Sequence, residues 1–482
     1  MGDNLKYKMI GALKWSTIDR FGQQGVQFFI GMLLARLLSA DDYGLIGMIM
    51  IFVALSYVLV DSGFAQALVR KTDATNLHYD SVFYFNLIIS ILLYAIAYWA
   101  APLIAHFFNQ PALVAICRVL FLAIIFNALY LVQFTRLSKA LNYKKLAQIN
   151  LISTLISGSI GVWVAIVYRN AWALVVQQLA YHFFRFVMSF LLVDWRPGLS
   201  FSFAIIKEFS KFSLHLLGTS VLNVLFNYIY VLIIARFYPR SEVGYYTQGN
   251  KLNETFNFSI QAILISSSYA MFSQIQNDDE RMRRIFSELT KKTALITMPL
   301  VLFLLTIAHP FIDVVWTSKF AASAPYFQML CLATLFNPFY SLTITALNAR
   351  GKSKITFRLE FMKKALMLLS IFVAFRWGIM PMLWGYIAAS TMSFVAAMLV
   401  FDGELKLRIS EQVKNFIPGL SIGLVIAILS FMVGLLQLNS FISLFLSSTV
   451  AIIVYGYVVY KYYNEIFQKM INYLQLKHQK VK

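Results

Sequence analysis

ARLLSADDYG at residues 35–44 and ARFYPRSEVG at 235–244 decide the fold. Both read Ala-Arg, five residues, an acidic residue (Asp42 or Glu242), one residue, then Gly, and they lie 200 positions apart. Two more matches follow in the same order. APLIAHFF at 101–108 pairs with HPFIDVVW at 309–316, which sets Pro102 against Pro310. LFLAIIFNALY at 120–130 pairs with LCLATLFNPFY at 330–340, and the correspondence runs on through Thr135/Thr345, Leu137/Leu347 and Lys144/Lys354. The displacement grows only from 200 to 210, as small loop insertions would cause. One short match could arise by chance; three in order at a near-constant displacement mark an internal repeat.

What repeats is built for lipid. Of the 482 residues, 60% are hydrophobic, 16% aromatic and only 13% charged, whereas soluble domains carry about 25% charged residues. Apolar runs of roughly 20 residues, each long enough to cross the ~30 Å hydrocarbon core, recur along the chain. They give an all-α polytopic membrane protein of about fourteen transmembrane helices, at 10–36, 43–65, 80–103, 112–134, 147–168, 171–193, 210–236, 244–272, 288–308, 325–347, 355–376, 381–401, 414–435 and 441–463. The first and eighth are polar enough for a hydropathy window to miss. The start, MGDNLKYKMIGALKWSTIDRFG, lacks a compact apolar stretch with a small-residue cleavage site and reads as the first span, not a removable signal peptide. Cys117 and Cys331 both fall inside apolar runs, which argues against a disulfide framework or a metal site.

Lys and Arg set the direction, because cytoplasmic loops retain an excess of them. With the N-terminus inside, most of the 41 fall on that side, among them Arg70 and Lys71, then Arg136, Lys139, Lys144 and Lys145, then Arg281, Arg283 and Arg284, then Arg350, Lys352 and Lys354. The opposite loops, such as HFFNQPAL at 106–113 and LQLNS at 436–440, are nearly free of them. Both termini are therefore expected in the cytoplasm, with an even number of spans. The net charge of +20 follows from this one-sided distribution and implies no nucleic-acid partner.

Six spans separate equivalent points of the repeat, and an even number means that the two copies point the same way through the membrane. The expectation is a parallel repeat about an axis along the membrane normal, with the substrate site between the halves. Removing the first or the eighth span would put the copies in opposite orientations, so both are kept. The domains are then an N-lobe at 1–200 (spans 1 to 6), a C-lobe at 201–405 (spans 7 to 12), and 406–482, the last two helices with a basic cytoplasmic tail.

Polar residues interrupt three of the spans at helical spacing. Ser16, Thr17, Arg20, Gln23, Gln24 and Gln27 share one face of span 1. An arginine near mid-membrane costs about 2.5 to 3.5 kcal/mol on insertion scales, so Arg20 should face protein or water. Span 7 carries His215, Thr219, Asn223, Asn227 and Tyr230, and at the 200-residue displacement Gln23 meets Asn223 and Gln27 meets Asn227. Span 8 adds Thr247, Asn250, Lys251, Glu254, Asn257 and Gln261. Three amphipathic spans imply a shared wet cavity. Arg185 joins Gln178, Tyr181 and His182 on one face of span 6. Plainer readings stand beside these. Asp19 can neutralise Arg20, Lys251 and Glu254 can form a structural ion pair, and His215 is more often a hydrogen-bonded helix residue than a proton carrier. Asp61-Ser62-Gly63 reads as a helix terminus, and Arg36 and Arg236 as repeated architectural contacts.

With those residues in view, the chain resembles the polysaccharide-repeat-unit flippases, of the O-antigen and colanic-acid-exporter (Wzx/WzxC) type, in the multidrug/oligosaccharidyl-lipid/polysaccharide (MOP) exporter superfamily. The resemblance rests on LARLLSADDYGLIGM at 34–48, DSGFAQALVRK at 61–71, APLIAHFFNQPAL at 101–113, WALVVQQL at 172–179, VGYYTQGNKL at 243–252 and LNARGKSK at 347–354, in order over nearly the whole chain. It implies a MATE/MurJ-like architecture in the bacterial inner membrane. It also implies alternating access by two six-helix lobes around a cationic cavity that receives an undecaprenyl-pyrophosphate-linked oligosaccharide. On that reading Arg20 and Lys251 attract the pyrophosphate, and Gln23, Gln27, Asn223, Asn227 and Tyr230 bond sugar hydroxyls. Gln24, Asn250 and Arg185 line the same cavity, and the last two helices offer a greasy surface to the prenyl tail. Coupling to a proton or sodium ion would run through Glu254, His215 or Asp19, and the polysaccharide polymerase machinery is a further implied partner. Two departures bear on subfamily more than on function: SSYAMFSQIQ at 267–276, where relatives usually place a proline, and Lys319-Phe320, where a Lys-Trp is common.

Two rival functions remain at this stage. A drug or cation antiporter of the same superfamily would need an acidic cavity, and the stripes here carry Arg20 and Lys251 against Glu254 and Asp19. A membrane polysaccharide polymerase or ligase would need a large external loop for its catalytic groups, and the outer loops are short. No nucleotide-binding glycine loop, metal-ligand cluster or nucleophile triad is apparent in the sequence, so no cofactor is expected.

Overall fold

The computed structural model describes the backbone of residues 2–462, and the side chains in that range except at 2–10, 212, 215, 258–267, 270 and 462. Among the described residues the chain is helical, with no β-strand. The helices are α1 (Gly2–Leu37), α2 (Ala40–Asp61), α3 (Phe64–Arg70), α4 (Asn76–Phe107), α5 (Leu113–Leu120), α6 (Leu122–Lys139), α7 (Tyr143–Tyr168), α8 (Trp172–Leu192) and α9 (Phe203–Phe237). They continue as α10 (Arg240–Gln274), α11 (Asp279–Trp316), α12 (Ser323–Thr334), α13 (Asn337–Ala349), α14 (Ser353–Ala374), α15 (Ile379–Leu405), α16 (Ile409–Lys414), α17 (Ile417–Leu435) and α18 (Ser440–Tyr462).

Eleven stretches among the described residues are long and apolar enough to cross a membrane. The expected spans at 10–36, 244–272 and 355–376 fall outside that set, although they lie on α1, α10 and α14, helices of 36, 35 and 22 residues. For α1 and α14 the reason is polar content, the stripe on α1 and Lys354, Arg358, Glu360, Lys363 and Lys364 on α14; the expected span 244–272 falls partly on side chains, at 258–267, that lie outside the described residues.

Local sequence explains where the helices break. Ser62 and Gly63 both take positive φ, 45° and 77°, and end α2 at Asp61. The Asp61 carboxylate then accepts the Ala65 amide at 3.3 Å and steadies the first turn of α3. At the other end of α2, Ser39 and Asp42 form a reciprocal capping box. Pro102 and Pro310, equivalent in the repeat, both sit inside long helices, α4 and α11.

The chain divides into two compact units, Met1–Thr247 and Gln248–Lys482. In the first, α7 packs along α1 and α8, over a core that includes Phe64, Leu68, Phe83, Tyr130, Ile149 and Trp195. In the second, α11 packs along α17 and α14 along α15. Its core is aromatic: Phe286 and Phe401 lie 4.0 Å apart, and Phe336 stacks on Phe394 at 4.8 Å. On α17 and α18, Ile428, Phe431, Phe445 and Ile452 are all more than half exposed, which suits a surface solvated by lipid and not by water.

Within the first unit, α2 crosses the opening turns of α10. A Cβ on Gly44 would fall 2.0 Å from the Arg240 carbonyl oxygen, and one on Gly244 would fall 1.9 Å from the Ala40 carbonyl oxygen. The two contacts exchange into one another under the 200-residue displacement. Asp41 and Arg240 bridge the same crossing at 3.1 Å. Only glycine allows such an approach, since membrane helices gain by backbone proximity what they cannot gain from the hydrophobic effect.

Candidate functional site

Four helices of the first unit bring polar side chains to one place. Asp19 and Gln23 lie one turn apart on α1, and Gln23 Nε2 donates to Asp19 Oδ1 at 2.7 Å. Asn150 Nδ2 on α7 donates to both carboxylate oxygens of Asp19, at 3.3 and 3.1 Å. The Tyr130 hydroxyl on α6 donates to Asn150 Oδ1 at 3.5 Å, and the Tyr181 hydroxyl on α8 donates to Gln23 Oε1 at 3.2 Å. Arg185, one turn beyond Tyr181, holds its guanidinium 4.0 Å from the Tyr130 ring centre and 5.1 Å from that of Tyr181. The contacts therefore close into a ring, from Asp19 through Asn150, Tyr130, Arg185, Tyr181 and Gln23 back to Asp19. A carboxylate and a guanidinium packed among helices need such partners, because an unpaired buried charge is expensive.

The approach of α1 to α7 makes this ring possible. A Cβ on Gly158 would lie 1.9 Å from Ile30 Cδ1, and one on Gly22 would lie 3.0 Å from Leu151 Cδ2. Asn150, Ser153, Thr154 and Ser157 line one side of α7 and are all buried. Beside the ring, Tyr57 on α2 and His182 on α8 share a hydrogen bond of 2.8 Å to His182 Nε2, and Gln178 Nε2 reaches Met50 Sδ at 3.7 Å.

The remaining expected residues divide by accessibility. Arg20 and Gln27 on α1 are exposed and Gln24 is half-buried; Asn223 and Asn227 on α9 are exposed, whereas Tyr230 is buried within the helix packing. The side chains of His215 and Gln261 lie outside the described residues. Arg236 packs on the Phe107 ring, 5.1 Å from its centre.

In the second unit, α10 spends part of its stripe on packing. Asn257 Nδ2 donates to Asn253 Oδ1 at 2.7 Å and to Thr334 Oγ1 at 2.8 Å, and Thr334 in turn donates to Asn253 Oδ1 at 2.8 Å, which ties α10 to α12. Lys251 and Glu254 remain exposed and Asn250 half-buried. Glu254 Oε1 takes its hydrogen bond from Asn250 Nδ2 at 2.8 Å, one turn back on the same helix, and not from Lys251. Thr247, the last residue of the first unit, packs its methyl against Gly47.

Asn150, Tyr130 and Tyr57 were not among the residues expected from the sequence. The polar face Asn150, Ser153, Thr154, Ser157 was the available signal for the first of them. Chemically the arrangement offers hydrogen bonds and charge to a polar ligand. Its accessible groups are amides with Arg20, Lys251 and Glu254, and among the described residues no three His, Cys, Asp or Glu stand close enough to hold a metal ion.

The fold and these residues have relatives. The teichuronic acid biosynthesis protein TuaB of Bacillus subtilis (strain 168) is 23% identical over 433 residues, covering 89% of each chain. The lipopolysaccharide biosynthesis protein WzxC of Escherichia coli (strain K12) is 24% identical over 387 residues, 77% of this chain and 76% of that one. Among solved structures, the lipid II flippase MurJ in an inward closed conformation superposes with a TM-score of 0.71 at 16% identity, over 94% of this chain and all of that one. A multidrug resistance MATE family transporter of the MOP superfamily, inward-facing, gives 0.61 at 15% identity, over 83% of this chain and 99% of that one. The architecture is thus the MATE/MurJ-like one. Residues 33–325, more than half of the sequence, match the polysaccharide biosynthesis protein family, and the chain belongs to that family.

Proposed function

We propose that this protein is a flippase that carries a polyprenyl-pyrophosphate-linked oligosaccharide from the cytoplasmic to the periplasmic leaflet of the bacterial inner membrane by alternating access. The carrying observation is the exposure of Arg20 and Lys251 on long helices of a membrane protein. Charges there persist where they meet a substrate or water. Membership of a polysaccharide biosynthesis family supports a glycan cargo. The names of TuaB and WzxC point to cell-surface polymers for those two proteins.

In this reading Arg20 and Lys251 attract the pyrophosphate. Gln23, Gln24, Gln27, Asn223, Asn227, Tyr230, Asn250 and Arg185 serve the sugars, either directly or by holding their neighbours. α1, α10 and α14 cross the membrane with the eleven more apolar stretches, both termini face the cytoplasm, and residues 1–200 and 201–405 act as two lobes. Asp19, Glu254 and His215 are the groups through which a proton or sodium ion would couple. A cation-drug antiporter fits less well, because the exposed charges on α1 and α10 include two cations.

The test is direct. In a strain lacking the native copy, Arg20→Ala and Lys251→Ala should each cut surface polysaccharide at least tenfold at normal protein levels. A lipid-linked intermediate should accumulate in the cytoplasmic leaflet. Full polysaccharide from both variants would overturn the assignment. Export unaffected by collapse of the ion gradients and by neutralising Glu254, Asp19 and His215 would remove the coupling.

A further inference from the structure

The segment joining α8 to α9 has two unlike faces. Its inward side is tied to the first turns of α4: Asp80 accepts the Gly198 amide at 3.1 Å and the Ser200 hydroxyl at 2.7 Å, and Ser81 Oγ accepts the Ser202 amide at 2.9 Å. Asp80 and Ser81 are buried, 3% and 0% exposed. Val193 and Trp195, at its start, are core residues. Arg196 donates to the Trp195 carbonyl at 2.9 Å and also to those of Phe190 and Val193, which satisfies the end of α8. Leu199, at a bend, Phe201, and Phe203, the first residue of α9, are turned outward: they are 99%, 48% and 70% exposed.

Three large apolar side chains held outward by a fixed backbone need an occupant. We infer that residues 197–203 form a fixed anchor in the interfacial layer of the bilayer, with Leu199, Phe201 and Phe203 set among lipid headgroups and upper acyl chains. Depth favours lipid. The segment leaves α8 at the end of one membrane-crossing stretch, Trp172–Leu192, and is pinned near the start of another, Asn76–Phe107. Its apolar face continues that of Leu191, 69% exposed on the last turn of α8. Pro197 has no amide hydrogen, and the amides of Gly198 and Ser202 are taken by Asp80 and Ser81. Lys207 and Lys211, one and two turns into α9, are exposed where headgroup phosphates would lie.

Single cysteines at 199, 200 and 201, placed in a full-length chain whose Cys117 and Cys331 are replaced by alanine, can carry a polarity-sensitive fluorophore in phosphatidylethanolamine/phosphatidylglycerol nanodiscs. Probes at 199 and 201 should emit at blue-shifted wavelengths and be quenched at least twofold more than the probe at 200 by lipid bearing a nitroxide near its headgroup. Aqueous iodide should show the reverse order. Strong iodide quenching at 199 would overturn the anchor, and so would a probe there that neither quencher reaches, which would mean a protein cover. Asp80→Ala should abolish the difference between 199 and 200 in protein that still elutes as a single species. Should that variant not fold, Ser81→Ala, which frees only Ser202, should halve it. An unchanged difference would refute the pinning.

Discussion

Tyr130 and Tyr340 hold equivalent places in the repeat, and each lies beneath a cation. Over Tyr130 it is Arg185, at 4.0 Å; over Tyr340 it is Lys363, at 4.4 Å. The cations come from helices that the repeat does not equate, α8 in the first case and α14 in the second. Their company differs as well. Arg185 belongs to a ring that runs through α1, α6, α7 and α8 and contains the carboxylate of Asp19. Lys363 donates to Asn337 Oδ1 at 3.2 Å, a residue one turn from Tyr340 itself. At matched positions of the sequence repeat the aromatic floor is the same and the polar wiring differs. The shared feature is electrostatic: a cation packed among apolar helices needs electron-rich partners, and the helix that supplies it differs.

Where the repeat preserves a backbone contact, the comparison predicts equality, and here the expected effects are largest. Gly44→Ala and Gly244→Ala each force a methyl into a carbonyl oxygen and should each cost on the order of 3 kcal/mol, read as matched falls in thermal unfolding midpoint in detergent. A twofold disparity would break the reciprocity of the crossing. Where the wiring has diverged, inequality is expected. Arg185→Ala removes a cation from two rings and from the neighbourhood of Asp19, at about 2 kcal/mol. Lys363→Ala removes one ring contact, one hydrogen bond and the attraction of Glu360, at about 1 kcal/mol. Equal losses would mean that the ring around Asp19 adds nothing to Arg185.

Much of the architecture was legible because a bilayer restricts a chain to long apolar helices with internally bonded backbones. Helix ends were less so. The window 288–308 belongs to a helix running from Asp279 to Trp316, since hydropathy marks where lipid ends and not where a helix does. Its true start is set by Asp278, whose carboxylate accepts the Arg281 amide at 2.9 Å. The stripes on α1, α9 and α10 could be read because residues on one helix share a face at fixed spacing. Asn150 and Tyr130 could not be joined to Asp19 in that way, because pairing between helices leaves no spacing in the sequence. Asp19 could be read as a neighbour that attracts Arg20, and the two do interact; what spacing did not show is that its carboxylate also takes three amide hydrogen bonds, from Asn150 and Gln23.

The closed ring can be tested by smaller changes. Asn150→Ala takes from Asp19 both bonds from α7 and should cost about 1.5 kcal/mol, as hydrogen bonds to a charged group do. Tyr181→Phe removes only a hydroxyl that donates to Gln23 at 3.2 Å, and about 1 kcal/mol is expected. The informative quantity is their combination. Both changes loosen the same carboxylate, one directly and one through Gln23, so the double variant should depart from additivity by 0.5 kcal/mol or more, as is typical of members of one network. Lys363→Ala shares no partner with Asn150, and that pair should add to within about 0.3 kcal/mol. Additivity in both pairs would reduce the ring to separate hydrogen bonds and leave Asp19 governed by Asn150 alone.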